Sequence, residues 1–163
     1  MLVTLMTDAS LCHKTGAAGF GYWCASDRGK RAGGNIIKGV VKDSYEAEFK
    51  GVANSLQASI NAGLISKGDE VLIQVDNEGV LFCLSGKCKV RPDIAVVLNH
   101  ILDTAKMYEL KLRCRHVKGH TKLTDNRYLA NHHCDSRAKY AMRQARKVLK
   151  KSIAEKVMSN EAD

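Results

Sequence analysis

Apolar residues along the chain change from strand-like to helix-like spacing, and each change marks an element. Short β-rich runs over 2–8, 20–26 and 31–41 are separated by turn residues, which predicts three strands in an antiparallel meander. Apolar residues then recur at helical spacing for about 18 residues, which predicts a helix. Asp43 or Ser44 can cap its start, because a short oxygen-bearing side chain accepts a hydrogen bond from the first turn. The first part of the chain is therefore expected to form three strands followed by a helix.

The remainder alternates between strands and helices. An apolar run over 71–75 is typical of a buried strand, and a short helix is expected over 77–86. Pro92 suits the first turn of the next helix, where its missing N–H is not needed. Residues 110–117 alternate like a half-exposed strand, and a long helix follows from about residue 128 to beyond 150. The order βββ-α-β-α-α-β-α predicts an α/β fold with one five-stranded mixed sheet, three antiparallel strands and then two further strands, flanked by helices.

Size and composition narrow the class of protein. The 163 residues suit one domain, expected over 1–155, with a polar C-terminal tail over 156–163. No apolar run approaches the roughly 20 residues that span a bilayer, and no basic leader precedes the first strand, so we expect a cytoplasmic monomer without membrane association. The six cysteines form no C-x-x-C pair, and we expect them to be reduced and mostly buried.

The net charge of +9 is not spread evenly. Residues 1–110 hold 12 basic and 12 acidic residues, whereas residues 111–163 hold 14 basic and 5 acidic residues. A positive face of this kind attracts polyanions such as nucleic acid or an anionic membrane surface. The cations between Arg137 and Lys151 on the last helix are either a solvated face or phosphate contacts, and the sequence leaves both open.

Four carboxylates occupy positions where an unpaired charge is costly, beside apolar runs or at the ends of predicted strands. They are Asp8, Glu48, Asp76 and Asp135. Glu46 is the alternative to Glu48, since two residues apart on a helix they point in different directions. Clustered carboxylates are tolerated when cations lie among them, and hard divalent ions prefer oxygen ligands. Spacing alone allows either a metal site or unrelated strand-end and capping acids.

Two further hypotheses, zinc binding by histidines and base stacking by a tryptophan, have less support in the sequence than the acidic cluster. His116 and His120 have ligand-like spacing for zinc, but one lies on a predicted strand, the other lies in a loop, and no C-x-x-C supports them. Trp23 is expected in the core rather than as a platform on which bases stack.

Five segments, in order along residues 2–145, resemble type 1 ribonuclease H. They are Thr7-Asp8-Ala9-Ser10 with Gly19-Phe20-Gly21-Tyr22, Ala47-Glu48-Phe49-Lys50-Gly51-Val52, Val75-Asp76-Asn77, Val117-Lys118-Gly119-His120 and Asn131-His132-His133-Cys134-Asp135. The last two form the most specific pair. The resemblance implies a ribonuclease H-like fold and endonucleolytic cleavage of the RNA strand of RNA–DNA hybrids.

The resemblance also assigns roles to individual residues. The implied ligands of two Mg²⁺ ions, with Mn²⁺ as a possible substitute, are Asp8, Glu48, Asp76 and Asp135. His120 completes the implied catalytic set and would assist proton transfer or product release. The substrate-binding candidates are Asn77, Asn131, Lys87, Lys89, Arg91 and Lys118. Asn77 has the alternative role of capping the next helix, and Asn131 that of ordering the site.

The chain departs from the family pattern where a hybrid would be read. Asp43-Ser44-Tyr45-Glu46 replaces the asparagines and basic residue that typically precede the helix glutamate, and His13-Lys14-Thr15-Gly16 replaces the usual first loop. The basic handle of some bacterial members is present at most in a reduced form, as Lys87, Lys89 and Arg91. We expect substrate binding to depend strongly on salt, because contacts of Lys and Arg with phosphates release counterions. Two alternatives stay open: a structure-specific DNA nuclease of the same superfamily, and a non-catalytic nucleic-acid-binding module.

Overall fold

The structure, a computed structural model, describes residues 1–86, 89–117 and 126–162. Its elements are β1 (Leu2–Leu11), β2 (Ala18–Ser26), β3 (Gly29–Ile37), α1 (Ser44–Asn61), β4 (Glu70–Val75), α2 (Glu78–Leu84), α3 (Pro92–Met107), β5 (Lys111–His116) and α4 (Asn126–Ala162). One sheet has the strand order β3-β2-β1-β4-β5, in which β1 to β3 pair antiparallel and β4 and β5 continue parallel to β1. The predicted α/β fold and mixed five-stranded sheet are confirmed.

The main core lies between the sheet and the layer formed by α1 and α3. Asp43 caps α1 by accepting a hydrogen bond from the Glu46 amide at 2.9 Å, so the predicted helix start is confirmed. The hydroxyls of Thr7 and Ser55 are hydrogen-bonded at 2.9 Å and join β1 to α1. The largest buried side chains of this core include Leu5, Phe49, Leu56, Ile73, Ile94 and Ile101. Each contributes roughly 1.5–3 kcal/mol by leaving water.

α4 packs on the other face of the sheet, with its backbone very close to that of β2. A Cβ at Gly21 would lie 2.2 Å from the Cys134 carbonyl oxygen, and one at Gly19 would lie 2.4 Å from the Met142 amide nitrogen. Only glycine allows the helix backbone to approach β2 this closely. A small cluster fills the adjoining space and consists of Met6, Val117 and Cys134, with Trp23 and Ala130 packed against it. Trp23 is therefore half-buried, at the edge of this second core.

Among the strands, the bounds of β1 and β3 differ most from the prediction. β1 continues beyond Asp8, because its pairing with β2 runs on to Leu11 and Ala18. β3 spans Gly29–Ile37 rather than 31–41, since it pairs with β2 from the tight turn onward and leaves the sheet after that residue. Asp8 consequently lies in the interior of β1 and not at its end.

The last helix is longer than predicted. α4 extends to Ala162, so residues 156–162 continue the helix in place of the expected tail. Residues 152–162 contain no Gly or Pro and include several strong helix formers, so nothing in the sequence ends the helix earlier. In the described part of the chain, no helix combines the length and the apolar character that crossing a membrane requires.

The cysteines divide into two groups. Free thiols are found at Cys12, Cys24, Cys114 and Cys134. Cys83, by contrast, is disulfide-bonded, so the expectation of reduced cysteines is wrong at this position. Disulfide formation depends on the separation of two backbones in the fold, which sequence spacing does not reveal.

Candidate metal centre

Three of the four candidate acids meet at one point of the sheet. Ligand atoms of Asp8, Glu48 and Asp76 all lie within 4.8 Å of one another. The pairing of β1 with the parallel strand β4 ends at Met6 and Gln74. Asp8 and Asp76 each lie two residues beyond this pair, so they are neighbours where β4 has ended. The sheet register therefore brings together two acids that are far apart in sequence.

Glu48 reaches the same point from α1. The neighbouring Glu46 is engaged elsewhere: its carboxylate accepts a hydrogen bond from the Lys42 amide at 2.7 Å and lies 2.8 Å from the Lys50 ammonium. Residues two apart on a helix cannot share a direction, so α1 presents only one of its two glutamates to the strand acids. That residue is Glu48.

Burial and mutual repulsion make the cluster unfavourable when all of its carboxyls are charged. Asp8 is 5% exposed and Glu48 is 9% exposed. Burial, followed by the charges of Asp76 and Asp135, raises the pKa of Asp8 to about 8. Burial also raises the pKa of Glu48 well above its ordinary value, with smaller contributions from Asp8 and Asp76. Without a cation, the cluster therefore retains protons at neutral pH.

The composition and size of the cluster fit a hard divalent cation. Oε2 of Glu48 is buried and has no hydrogen-bond partner among the residues that the structure describes, and such an oxygen is costly unless a cation or a proton satisfies it. Mg²⁺ binds oxygen at about 2.0–2.1 Å, so two ligands of one ion are at most about 4.2 Å apart. A small inward movement of side chains already within 4.8 Å reaches that spacing. Because this group contains no His or Cys, its chemistry favours Mg²⁺ or Mn²⁺ over zinc.

Asp135 lies beside the cluster, on α4. Its carboxyl is close enough to Asp8 to contribute to the raised pKa of that residue. Its Oδ2 atom is 2.9 Å from the Nζ atom of Lys139, one helical turn later. The sequence motifs do not single out Lys139, although opposite charges four residues apart on a helix are a signal for such a pair. The fourth acid thus lies near the cluster and is paired with a cation of its own helix.

Polar side chains also hold the backbone that follows β4. Nε2 of His116 lies 2.9 Å from the carbonyl oxygen of Asp76, and its Nδ1 lies 3.4 Å from the Glu78 carboxylate. His116 is exposed at the end of β5, whereas Leu112 and Cys114 of the same strand are half-buried. Asn77 caps α2 by accepting a hydrogen bond from the Val80 amide at 3.2 Å, which is the alternative role expected from the sequence.

The other substrate-binding candidates have different surroundings. Asn131 is 4% exposed, and its Oδ1 atom has no hydrogen-bond partner in the described part of the chain. Arg91 is paired with the carboxylates of Asp43 and Asp93, so it joins the start of α1 to the start of α3. Its contact with a substrate stays a prediction. Lys89 is exposed. The candidates outside the described residues are Lys87, Lys118 and His120.

The strand order, the helices on both faces and the position of the acidic cluster define a ribonuclease H-like fold. RNase H1 from the halophilic archaeon Halobacterium salinarum NRC-1 is similar, with a TM-score of 0.70, 20% sequence identity, and coverage of 89% of this chain and 100% of that chain. The N-terminal RNase H domain of a Mycobacterium tuberculosis protein, solved as a fusion with maltose binding protein, gives a TM-score of 0.69 at 20% identity, covering 90% of this chain and 97% of that one. LC11-RNase H1 in complex with an RNA/DNA hybrid gives a TM-score of 0.68 at 17% identity, covering 88% of this chain and 98% of that one.

These similarities extend over most of the chain and confirm the type 1 ribonuclease H-like fold. No protein-family model matches the sequence, and no curated protein matches it. At this level of identity the shared property is the fold, so the activity has to be argued from the side chains of the site.

Proposed function

We propose that this protein is a metal-dependent endoribonuclease that hydrolyses the RNA strand of RNA–DNA hybrids. The observation that carries the proposal is the buried cluster of Asp8, Glu48 and Asp76 at the end of β4 in a ribonuclease H-like fold. Three buried carboxylates at this spacing are unfavourable unless cations join them. LC11-RNase H1, which has the same fold, was solved with an RNA/DNA hybrid, and this supports hybrids as the substrate class.

The cluster would hold two divalent ions, with Asp135 joining from α4. Bound Mg²⁺ supplies Lewis-acid stabilisation of the charge on the attacking and leaving oxygens of a phosphodiester. Two further side chains contact the ligand residues: His116 contacts the backbone carbonyl of Asp76, and Lys139 forms an ion pair with Asp135. The proton that Asp8 retains below about pH 8 must leave before a cation binds, so metal affinity rises with pH up to that value.

A cleavage assay with four labelled substrates tests the proposal. They are an RNA–DNA hybrid, double-stranded DNA, double-stranded RNA and a four-way DNA junction, each with Mg²⁺, Mn²⁺ or EDTA. We expect cleavage of the hybrid alone, only with metal. Asp76→Asn should lower the rate by about a hundredfold or more. Asp103→Asn, which removes the same charge from an exposed position on α3, should leave the rate unchanged.

Each alternative has its own outcome in this assay. Cleavage of the junction but not the hybrid would favour the structure-specific DNA nuclease. Binding without metal-dependent cleavage of any substrate would favour the non-catalytic module. Full activity of Asp76→Asn would contradict the assignment of the site.

A further inference from the structure

One face of α4 carries a row of cations that begins at the acidic cluster. This row, the α4 stripe, consists of Lys139, Arg143, Arg146 and Lys150. Intervals of four, three and four residues place its members on one side of the helix. Asp135 lies four residues before Lys139 on the same side and is paired with it. From residue 136 to residue 154, α4 contains no acidic residue.

The α4 stripe lies on the side of α4 that faces β1 and its acids. The opposite flank lines a surface pocket with β3 and consists of Arg137, Tyr140 and Gln144. On the stripe side, Arg146 lies beside Cys12, the residue that follows β1. Since α4 packs on β2, which lies between β3 and β1, the flank away from β3 is the one on the β1 side. Hydrogen bonding from Thr15 and, more weakly, from Arg146 lowers the pKa of the Cys12 thiol to about 7, in agreement with this placement. The α4 stripe thus runs from the cluster past the turn between β1 and β2.

Among the residues that the structure describes, no carboxylate forms an ion pair with the cations of the α4 stripe beyond its first member. Arg143 and Lys150 are exposed, and Arg146 is half-buried. In the part of the chain that the structure describes, the ion pair of the stripe is the one between Lys139 and Asp135. Uncompensated cations on one face create a positive potential that attracts an anionic backbone.

The distance from Asp135 to the far end of the α4 stripe sets how much nucleic acid beside the acidic cluster the stripe can reach. Lys150 follows Asp135 by 15 residues in one continuous helix. At about 1.5 Å per residue this is about 22 Å. At about 3.4 Å per nucleotide of one strand, that distance corresponds to about six or seven nucleotides.

We propose that the α4 stripe binds backbone phosphates of the substrate duplex on one side of the cleavage position, over about six nucleotides. The position of the scissile phosphate at the acidic cluster rests on the proposed function. Phosphate contacts of this kind position a duplex without reading its sequence. The grip on the substrate would then come from the catalytic domain itself, through a helix that also carries one of the four acids.

A binding experiment separates the α4 stripe from general positive charge. Affinity for a labelled hybrid is measured by fluorescence anisotropy at several salt concentrations, with Asp76→Asn present in every protein to prevent cleavage. Arg143→Gln/Lys150→Gln should weaken binding about tenfold and reduce the log–log salt slope by about two. Lys147→Gln/Lys151→Gln removes the same charge from exposed positions roughly a quarter-turn around the helix, and should have much smaller effects. Equal losses in both variants would overturn the proposal.

A substrate-length experiment tests the footprint. The cleaved strand is DNA except for a block of about four ribonucleotides, which fixes the cut, and each arm is shortened in turn from about twelve to about three pairs. Shortening one particular arm below about six pairs should raise the KM of the wild type about tenfold, and should not affect Arg143→Gln/Lys150→Gln. Equal sensitivity of both proteins to both arms would contradict the proposed contact.

The two proposals can fail separately. If no duplex is cleaved, the proposed function fails, and anisotropy on the same set of duplexes still tests whether one arm depends on the α4 stripe. If cleavage is normal but neither arm matters, the nuclease proposal stands and the α4 stripe is a solvated face.

Discussion

Removing one charge from the acidic cluster should stabilise the metal-free protein, although most substitutions at buried positions destabilise. Asp8→Asn preserves the shape of the side chain and the oxygen that accepts a hydrogen bond from the Ala9 amide at 2.9 Å. It removes a carboxyl whose charged form is made unfavourable by burial, Asp76 and Asp135. The variant therefore avoids the cost of taking up a proton on folding, or of burying the charge, and keeps its packing.

The sign and size of the effect follow from the pKa of Asp8. The folded-state pKa of about 8 lies above the ordinary value of 3.8, so between these values the folded protein holds a proton that the unfolded chain has lost. Stability of the metal-free wild type must then fall as pH rises through this window. One pKa unit corresponds to about 1.4 kcal/mol, which sets a ceiling of about 6 kcal/mol. Because side chains and solvent relax around the charge, we expect Asp8→Asn to gain about 1–3 kcal/mol near pH 8.

Urea unfolding in EDTA at about pH 5, 6.5 and 8 measures this gain. The advantage of Asp8→Asn over wild type should grow with pH, while Asp103→Asn, an exposed control, should remain parallel to wild type. Excess Mg²⁺ should reverse the order, since an ion that binds only the folded wild type stabilises it by mass action. A wild-type stability in EDTA that is constant from about pH 5 to 8 would refute the reasoning.

Three further predictions concern the support of the site. Gly21→Ala should lose at least about 2 kcal/mol in thermal unfolding, because the new methyl group would overlap the Cys134 carbonyl and force α4 away from β2; an unchanged Tm would disprove the close packing. Hydrogen bonds from Arg28 lower the pKa of Asp69 to about 2, so the stability that this carboxylate contributes is present above about pH 4 and is lost as pH falls through about 2. Asp69→Asn should therefore lower the free energy of unfolding by about 2 kcal/mol at pH 7, and this difference from wild type should vanish in acid. His116→Ala should lower the rate of hybrid cleavage about tenfold without changing hybrid affinity, and His116→Asn should recover part of the rate, whereas equal losses in both would contradict a positioning role.

The order of elements is predictable from the sequence because local patterns determine it. The apolar spacing and the cap at Asp43 predict α1, and the helix indeed begins at Ser44. The approach of α4 to β2 is different, since it depends on which glycines come to face a helix more than 100 residues later. Gly19 and Gly21 are visible in the sequence, but only the fold reveals that they receive a helix rather than form a turn.

The acids of the site show the same division. Sequence spacing cannot predict that Asp8 and Asp76 are neighbours, because their proximity depends on the parallel register of β1 and β4. The resemblance of their motifs to a known family is what singles them out. The charge of Arg91 is visible, and so is Asp93 two residues later. Its other partner, Asp43, lies 48 residues away and becomes a neighbour only in the folded chain. A sequence therefore reveals charges more readily than the partners that neutralise them.

The close contact of α4 with the glycines of β2 determines which functions are lost together when the protein partly unfolds. Asp8, Glu48 and Asp76 all precede α4 in the chain, whereas Asp135 and the α4 stripe both belong to α4. If α4 detaches as one cooperative unit, as terminal helices can in local unfolding, one ligand of the proposed site and the proposed phosphate contacts are lost in the same event. Partial unfolding would then yield a protein that neither cuts nor holds nucleic acid, rather than one that still cuts but has lost control of its substrate. Native-state hydrogen exchange of α4 amides reports how often that event occurs.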